Sequence, residues 1–598
     1  MQTVKTLPKR NELDKKYTWK VEDIYPSDEA WKKELESATD ISRLENFQGK
    51  LADSAKMLFD CLALYHEISC VVDRLYVYAT MKFHEDSTNS FYQSMSNQAE
   101  LLLIEYSAKT SFLIPEIVEI PEKKLEEFLN EEKGLELYQH FLENVNRQKM
   151  HTLSKKEEEL LAKTAELANA PQTIFTMLND ADMRFPNIKD ENGKEVQLTK
   201  GRYTTFLESQ NREVRKEAFE ALYDTYLKQK NTLAAAYYAS VKGDVFYASA
   251  RNYKSALEAA LEDDKIPVSV YDTLIETVHE SIPLLHRYVS LRKKLLGVDE
   301  LHMYDLYVPV VSQVQKEISY EEAKETVQKA LSVMGDDYVN ALKKGFDGGW
   351  IDVYENEGKR SGAYSWGTYS AHPYVLLNHN NTINSMFTVA HEMGHALHSY
   401  FTWQKQPYVY SGHKIFVAEV ASTCNEALLM EHLLKHTDEK EMKKYLINYF
   451  LEQFRGTFFR QTMFAEFEKI THEMAERGDP LTCENLSKIY HDLNVFYFGN
   501  DIVVDEKIDI EWARIPHFYN AFYVYQYATG YCAAIALSRQ ILSEGAPAVK
   551  RYLGFLSKGN AQYSIDLLKG AGVDMTKKQP LQQAMKVFEE LLNELERL

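Results

Sequence analysis

The sequence predicts a mainly α-helical protein with a small β-sheet, on three observations. Apolar residues recur at helical spacing through most of the chain beyond about residue 57. One block, 361–378, instead gathers glycines, aromatics and β-branched residues as a small sheet would. No Pro/Gly/Ser linker or low-complexity tract divides the 598 residues, so one closely joined assembly is expected rather than separate beads.

Taken in order, residues 17–28 set aromatics in a turn-like context before a helix starting near Glu29, and read as a strap that docks on a core. Stretches 57–65, 70–82 and 92–107 are long amphipathic or apolar helical runs. The charge run 155–159 fits a solvated helix face. Residues 185–198 break the helical pattern, with Asn192-Gly193 at the centre of a short hairpin. The domain boundary is placed there, giving an N-terminal helical domain 1–198 and a catalytic domain 199–598. Ser319-Tyr-Glu-Glu322 forms a capping box for a helix that Gly335 ends. Leu581, Met585, Phe588, Leu592 and Leu595 give the last helix its buried stripe.

Composition narrows the function. With 45% hydrophobic and 26% charged residues the chain is ordinary for a globular protein. Its net charge of −20 argues against general affinity for nucleic acid or anionic membrane. No secretory signal and no run of 18 apolar residues is visible, so a cytoplasmic location is expected. The five cysteines are scattered and never form a CxxC pair, as expected of free thiols in a reducing compartment.

The chemistry gathers at His391-Glu392-Met393-Gly394-His395, inside an apolar helical run that Asn384 or Ser385 can cap. Residues four apart stand on one helix face, so the Nε2 atoms of His391 and His395 can converge on one ion, and neutral imidazoles suit zinc. Glu392 lies about 100° round the helix, a poor ligand position but a good one for a general base acting on water that the ion makes acidic. A catalytic zinc needs a third protein ligand. The extended HExxHxxGxxH pattern fails, because positions 398 and 401 are His and Phe. Glu419, on a helical stretch downstream, is the leading candidate; His398, His413, Cys424 and Glu426 are rivals. Glu426, seven residues on, could instead orient a ligating imidazole.

Further along, Tyr519, Tyr523, Tyr527 and Tyr531 form an i, i+4 column after His517. Such hydroxyls and a histidine could hydrogen-bond an oxyanion, although in a chain with 39 tyrosines such a column taken alone is more often core. Within 361–378, Pro373 suits an edge strand, and a free edge could hold an extended peptide by β-augmentation. His472-Glu473 lacks the second histidine and reads as a solvated face.

Five segments together resemble oligoendopeptidase F, of the thimet oligopeptidase group of zinc peptidases: 19–25, 359–364, 391–395, 419–422 and 517–531. The resemblance implies a two-lobed helical enclosure around a deep channel, with the small sheet next to the HExxH helix. It implies one Zn2+ per chain on His391, His395 and Glu419, with Glu392 as base. His398 and Glu426 would support the ligands, while His517, Tyr523, and Tyr527 or Tyr531 would assist the oxyanion. Gly362, Ala363, Tyr364 and the loop glycine Gly412 would meet substrate. The expected activity is endoproteolysis of short, unfolded oligopeptides without a covalent intermediate. A metallocarboxypeptidase and a non-catalytic peptide-binding scaffold are the alternatives, and oligomeric state is left open.

Overall fold

The computed structural model describes residues 7–38, 40–311 and 316–598. These are mainly α-helical, with strands confined to three small sheets among the described residues. By internal contacts the chain forms two compact units, each assembled from separate stretches. One comprises Met1–Thr152, Lys316–His432 and Leu537–Val573; the other comprises Leu153–Gln315, Leu433–Ala536 and Asp574–Leu598. This differs from the single cut expected at residue 198. The helix Lys155–Thr176 packs on the helix Lys230–Ala250, which draws the residues before that cut into the second unit.

In the first unit, the expected runs 57–65 and 70–82 merge into one helix, Ala55–Glu85, capped by Ser54 accepting from the Met57 N–H at 3.2 Å. It packs along the helix Ser90–Thr110. The strap docks as expected, with Trp19, Val21 and Tyr25 buried. Its backbone is tied to the sheet region: Lys20 N–H donates to the Gly349 carbonyl at 2.7 Å, and Val353 N–H to the Tyr17 carbonyl at 2.9 Å.

The 361–378 block forms the strands Tyr364–Gly367 and Pro373–Leu376, paired antiparallel, with Ile351–Asp352 parallel on the far side of Pro373–Leu376. Pro373 therefore opens the central strand rather than lying on an edge. A first residue tolerates proline because its missing N–H costs the ladder least. Of the two edge strands, Ile351–Asp352 is flanked by the strap through the Val353–Tyr17 bond, and Tyr364–Gly367 has no further strand beside it among the described residues.

The second unit is built on the helices Val268–Leu296, Arg460–Glu476 and Cys483–Phe498, which pack on one another. A π-helical turn, Phe454–Phe459, joins Lys440–Gln453 to Arg460–Glu476 and turns Arg455 inward, where it is buried. The final helix, Gln579–Arg597, buries the expected stripe Leu581, Met585, Phe588, Leu592 and Leu595. The hairpin forms as expected, Asn187–Lys189 against Glu195–Gln197, with Gly193 at φ 74°. His472 departs from expectation: it is buried, and its Nδ1–H donates to the Glu468 carbonyl at 2.8 Å. Among the described residues no helix is long and apolar enough to cross a membrane.

One buried charge cluster fastens the strap. Asp352 pairs with Arg10 and, at 2.7 Å, with Lys359. Burial pushes the Asp352 carboxyl up, but Lys359 and Arg10 outweigh it and hold it below the usual range. A lowered carboxyl contributes stability above its unfolded pKa that is lost as pH falls through the folded value. Asp352→Ala, leaving the buried Lys359 without its carboxylate and Arg10 with only Glu85 at 3.4 Å, is expected to cost about 3–5 kcal/mol and to flatten the acid side of the stability profile. Denaturation midpoints across pH check both effects.

Candidate metal centre

His391, Glu392 and His395 lie mid-way along the helix Ile383–Lys405. Its cap is Thr382, not Asn384 or Ser385: the Thr382 Oγ1 accepts from the Ser385 N–H at 3.1 Å and donates to Asn380 Oδ1 at 2.8 Å. Met386, Phe387, Val389, Ala390, Met393, Ala396 and Leu397 bury the helix on the core side. The sheet packs against the same helix.

Gly394 lets a second helix, Val420–His436, come against it. A Cβ at Gly394 would lie 2.6 Å from Ser422 Cα and 2.7 Å from the Ala421 carbonyl oxygen, so only glycine permits this backbone contact. Asn425 pins the pair, donating to the Ala390 carbonyl at 3.0 Å and accepting from the Tyr338 hydroxyl at 2.7 Å. Glu419, immediately before Val420–His436, is thereby set beside the histidines.

The resulting triangle fits zinc. The Nε2 atoms of His391 and His395 are 3.2 Å apart, and Glu419 Oε2 is 3.4 Å from each. Ligands on a tetrahedral ion with bonds of about 2.0–2.1 Å stand about 3.3 Å from one another, so these three atoms need little movement to hold one. Two imidazoles and a carboxylate are also a donor set zinc prefers. Among the described residues this is the only cluster of at least three such groups close enough to hold a metal.

The rivals for third ligand are occupied elsewhere. Glu426 bonds His391 Nδ1, which fixes that ring's proton away from Nε2 and leaves Nε2 to the metal. His398 and His413 stack on each other with centroids 3.8 Å apart, so His398 braces a neighbouring ring rather than hydrogen-bonding a ligand. Cys424 is buried, and burial pushes its thiol up to about 12. Ser422 Oγ, 3.1 Å from Glu419 Oε2, can donate to that carboxylate. Gly394, Asn425 and Ser422 were not singled out from sequence. A glycine inside an apolar helix, where it costs about 1 kcal/mol against alanine, is the signal that could have found the first.

Glu392 is buried and outside the ligand triangle. Burial raises its carboxyl above the usual range, although His391 and His395 pull the other way. A raised carboxylate takes protons more readily, as a general base must.

Gly362, Ala363 and Tyr364 lead into the free-edge strand. Gly362 has φ 85° and its carbonyl accepts from Asn378 Nδ2 at 2.8 Å. The Tyr364 hydroxyl lies 2.8 Å from His84 Nδ1, whose Nε2 accepts from Arg360 at 2.8 Å. Gly412 is exposed in the segment between Tyr408–Tyr410 and Ile415–Ala418, with open space where a side chain would be.

The tyrosine column is broken. Pro516–Tyr519 is a 3-10 turn, Phe522 takes a left-handed φ of 57°, and the helix begins only at Tyr525. His517, Tyr523 and Tyr527 still gather: His517 stacks on Tyr523 at 6.0 Å, and Tyr527 sets its edge to His517 at 6.1 Å and to Tyr523 at 5.5 Å. Tyr519 stacks instead on Phe175 at 4.5 Å. Tyr531 is buried against Phe454 at 4.9 Å, apart from these three rings. This cluster lies in the second unit, the metal ligands in the first.

Without metal, the carboxylates act on the histidines. Burial alone would lower His391, but hydrogen bonds to Glu419 and Glu426 win and raise it to about 10. Glu419 is held far below the usual range, because its bonds to His391 and His395 overcome burial. The metal-free site therefore keeps a proton on His391 that metal must displace. Zinc uptake near pH 7.5 is expected to release about one proton per ion, measurable by calorimetry in buffers of different ionisation enthalpy. The sign for stability follows: a raised histidine stabilises the metal-free fold fully below its ordinary value of 6.5, and that contribution is lost as pH rises toward about 10.

The chain matches the model of peptidase family M3 over residues 205–587 and that of oligopeptidase F over 116–185. It is 51% identical over 593 residues to the oligopeptidase PepF of Bacillus subtilis, covering 99% of this chain and 88% of that one. A crystal structure of a peptidase from Chlamydophila abortus superposes with a TM-score of 0.93 at 35% identity, covering 99% of both chains. That of oligoendopeptidase-F from Enterococcus faecium gives 0.75 at 38%, covering 95% of this chain and 98% of that one. With the His391–His395–Glu419 triangle in place, the chain belongs to the oligoendopeptidase F family of M3 zinc metallopeptidases.

Proposed function

We propose that this zinc endopeptidase cuts internal bonds of short, unfolded oligopeptides in the cytoplasm, with Glu392 as general base. The observation that carries the reading is the division of labour on one helix. His391 and His395 turn their Nε2 atoms to a common point with Glu419, while Glu392 is buried, raised in pKa and left out of the ligand set. Zinc, when held there, supplies Lewis acidity toward water and toward the scissile carbonyl.

Glu392 takes the proton of the attacking water and, once protonated, gives it to the leaving amine. Glu426 keeps the His391 ring in the tautomer that frees Nε2. To His517, Tyr523 and Tyr527 we assign hydrogen bonding to the oxyanion; their mutual packing and the family resemblance support this. Burial, with Arg460 second, lowers His517, which favours its neutral form at physiological pH. The extended substrate would add to the free edge of Tyr364–Gly367, with Gly362 and Ala363 leading into it and Gly412 contributing from its exposed segment. Five free cysteines, among them buried Cys61, Cys424, Cys483 and Cys532, suit a reducing compartment.

The test is hydrolysis of an end-blocked, internally quenched peptide by wild type and Glu392→Gln, with metal content determined on both. The expected result is internal cleavage by wild type, and a variant that keeps its metal but loses about 10²–10⁴-fold in rate. An end-blocked peptide left uncut while its unblocked counterpart loses C-terminal residues would favour a carboxypeptidase, and binding of both without turnover a scaffold. Tyr527→Phe and His517→Ala are each expected to lower kcat about 10²-fold or more at unchanged zinc content, whereas Tyr531→Phe leaves kcat nearly intact.

A further inference from the structure

Two Arg–Glu–Arg triads meet in the second unit. Glu452 accepts from Arg292 at 3.0 Å and from Arg455 at 2.6 and 3.0 Å. Glu511 accepts from Arg460 and Arg514, each at 2.7 Å. The remaining acceptor capacity of Glu511 is taken up by the hydroxyls of Tyr223 at 3.1 Å and Tyr490 at 2.6 Å. Among the described residues no other carboxylate pairs with these four guanidiniums, so four positive charges share two negative ones. Arg292 and Arg455 are buried, whereas Arg460 and Arg514 keep 17% and 25% of their side-chain surface exposed, so the pairing leaves an interior positive excess that solvent balances only in part.

Arg455 of the first triad and Arg460, Glu511 and Arg514 of the second line a cavity of about 20 Å³, together with Tyr203, Tyr307 and Asn494, whose Oδ1 is buried without a hydrogen-bond partner; it has room for one water-sized occupant. Arg514 Nε is buried there with no hydrogen-bond partner. The Arg455 guanidinium lies 4.8 Å over the Tyr307 ring, which links the first triad to the cavity. The field inside is strongly positive: burial would raise the Tyr307 phenol, yet Arg460 and Arg455 hold it below its ordinary value.

We infer that this cavity is a binding site for a small monovalent anion of halide size, with Arg514, Arg460 and Arg455 as its donors. Phosphate and carboxylate-bearing ligands are too large for the volume. A halide would satisfy the orphaned N–H and supply part of the missing counter-charge, locking together the helices and the π-helical turn that carry these arginines.

The test exchanges sodium gluconate for sodium bromide at constant ionic strength. In zinc-loaded and metal-free protein alike, bromide from about 1 to about 100 mM is expected to raise Tm saturably by roughly 2 °C. Crystals of the wild-type enzyme grown in bromide are expected to show an anomalous peak in the cavity beside Arg514. Arg514→Gln should raise the bromide needed for half the Tm shift by about tenfold or more, since it loses a charged donor. The wild-type crystals decide the matter if that variant fails to fold. Absence of the anomalous peak, or a Tm indifferent to the exchange, overturns the proposal. So does a response confined to zinc-loaded protein, which would place the halide on the metal. A tyrosinate absorption at neutral pH that disappears in Tyr307→Phe would also overturn it, because Tyr307 would then carry the counter-charge itself.

Discussion

The structure of the metal centre depends on one steric fact, the backbone contact between Gly394 and the first turn of Val420–His436. Two histidines on a helix define a line of approach for an ion but cannot complete its coordination. The third ligand has to come from another element, and its carboxylate must arrive within a few tenths of an ångström. Side chains between the two helices would hold them about 8–10 Å apart at their axes. Removing the side chain at the crossing lets the backbones touch, and the Asn425 bond to the Ala390 carbonyl fixes the register at which they do so. Ligand geometry here is thus a result of helix packing.

The same contact organises the electrostatics. Glu419 and Glu426 approach His391 from its two ring nitrogens, one as ligand and one as partner of the opposite N–H. Between them they make the metal-free imidazole strongly basic, and they would counter the charge of a bound ion. Glu392 sits on the same helix under the opposite influence, since burial dominates and raises it. Two carboxylates that differ mainly in what surrounds them are thereby given different work.

Much of this was legible in the sequence. The pattern 391–395 gave two ligands and the base, because a helix has a fixed period and the chemistry needs a fixed spacing. The seven-residue step from Glu419 to Glu426 likewise placed both on one face toward the metal helix. Glu419 itself could not be chosen over His398 or His413 by spacing alone, since the packing that brings it in is long-range; the resemblance made that choice. Local reading failed where tertiary contacts override periodicity. The tyrosine column assumed a continuous helix through 519–531, but Phe522 is held left-handed with its N–H on Glu468 at 2.9 Å. Pro373 was read as an edge residue because its missing donor was visible, whereas its position at the very start of a central strand was not. His472 reads as solvated when judged only as a failed metal motif, whereas its burial depends on long-range packing that local sequence does not show. The buried arginines were equally invisible: a net charge of −20 says nothing about a local interior excess of the other sign.

Whether this helix contact builds the zinc site is decided by Gly394→Ala. An added methyl would meet backbone atoms of residues 421 and 422, which cannot rotate away, so Val420–His436 must shift and carry Glu419 with it. The expected result is a folded protein with His391 and His395 unchanged, whose zinc affinity by competition with a chelator falls about 10–100-fold. Zinc binding as tight as in wild type, with activity retained, would contradict it and show that Glu419 is positioned by something other than this contact.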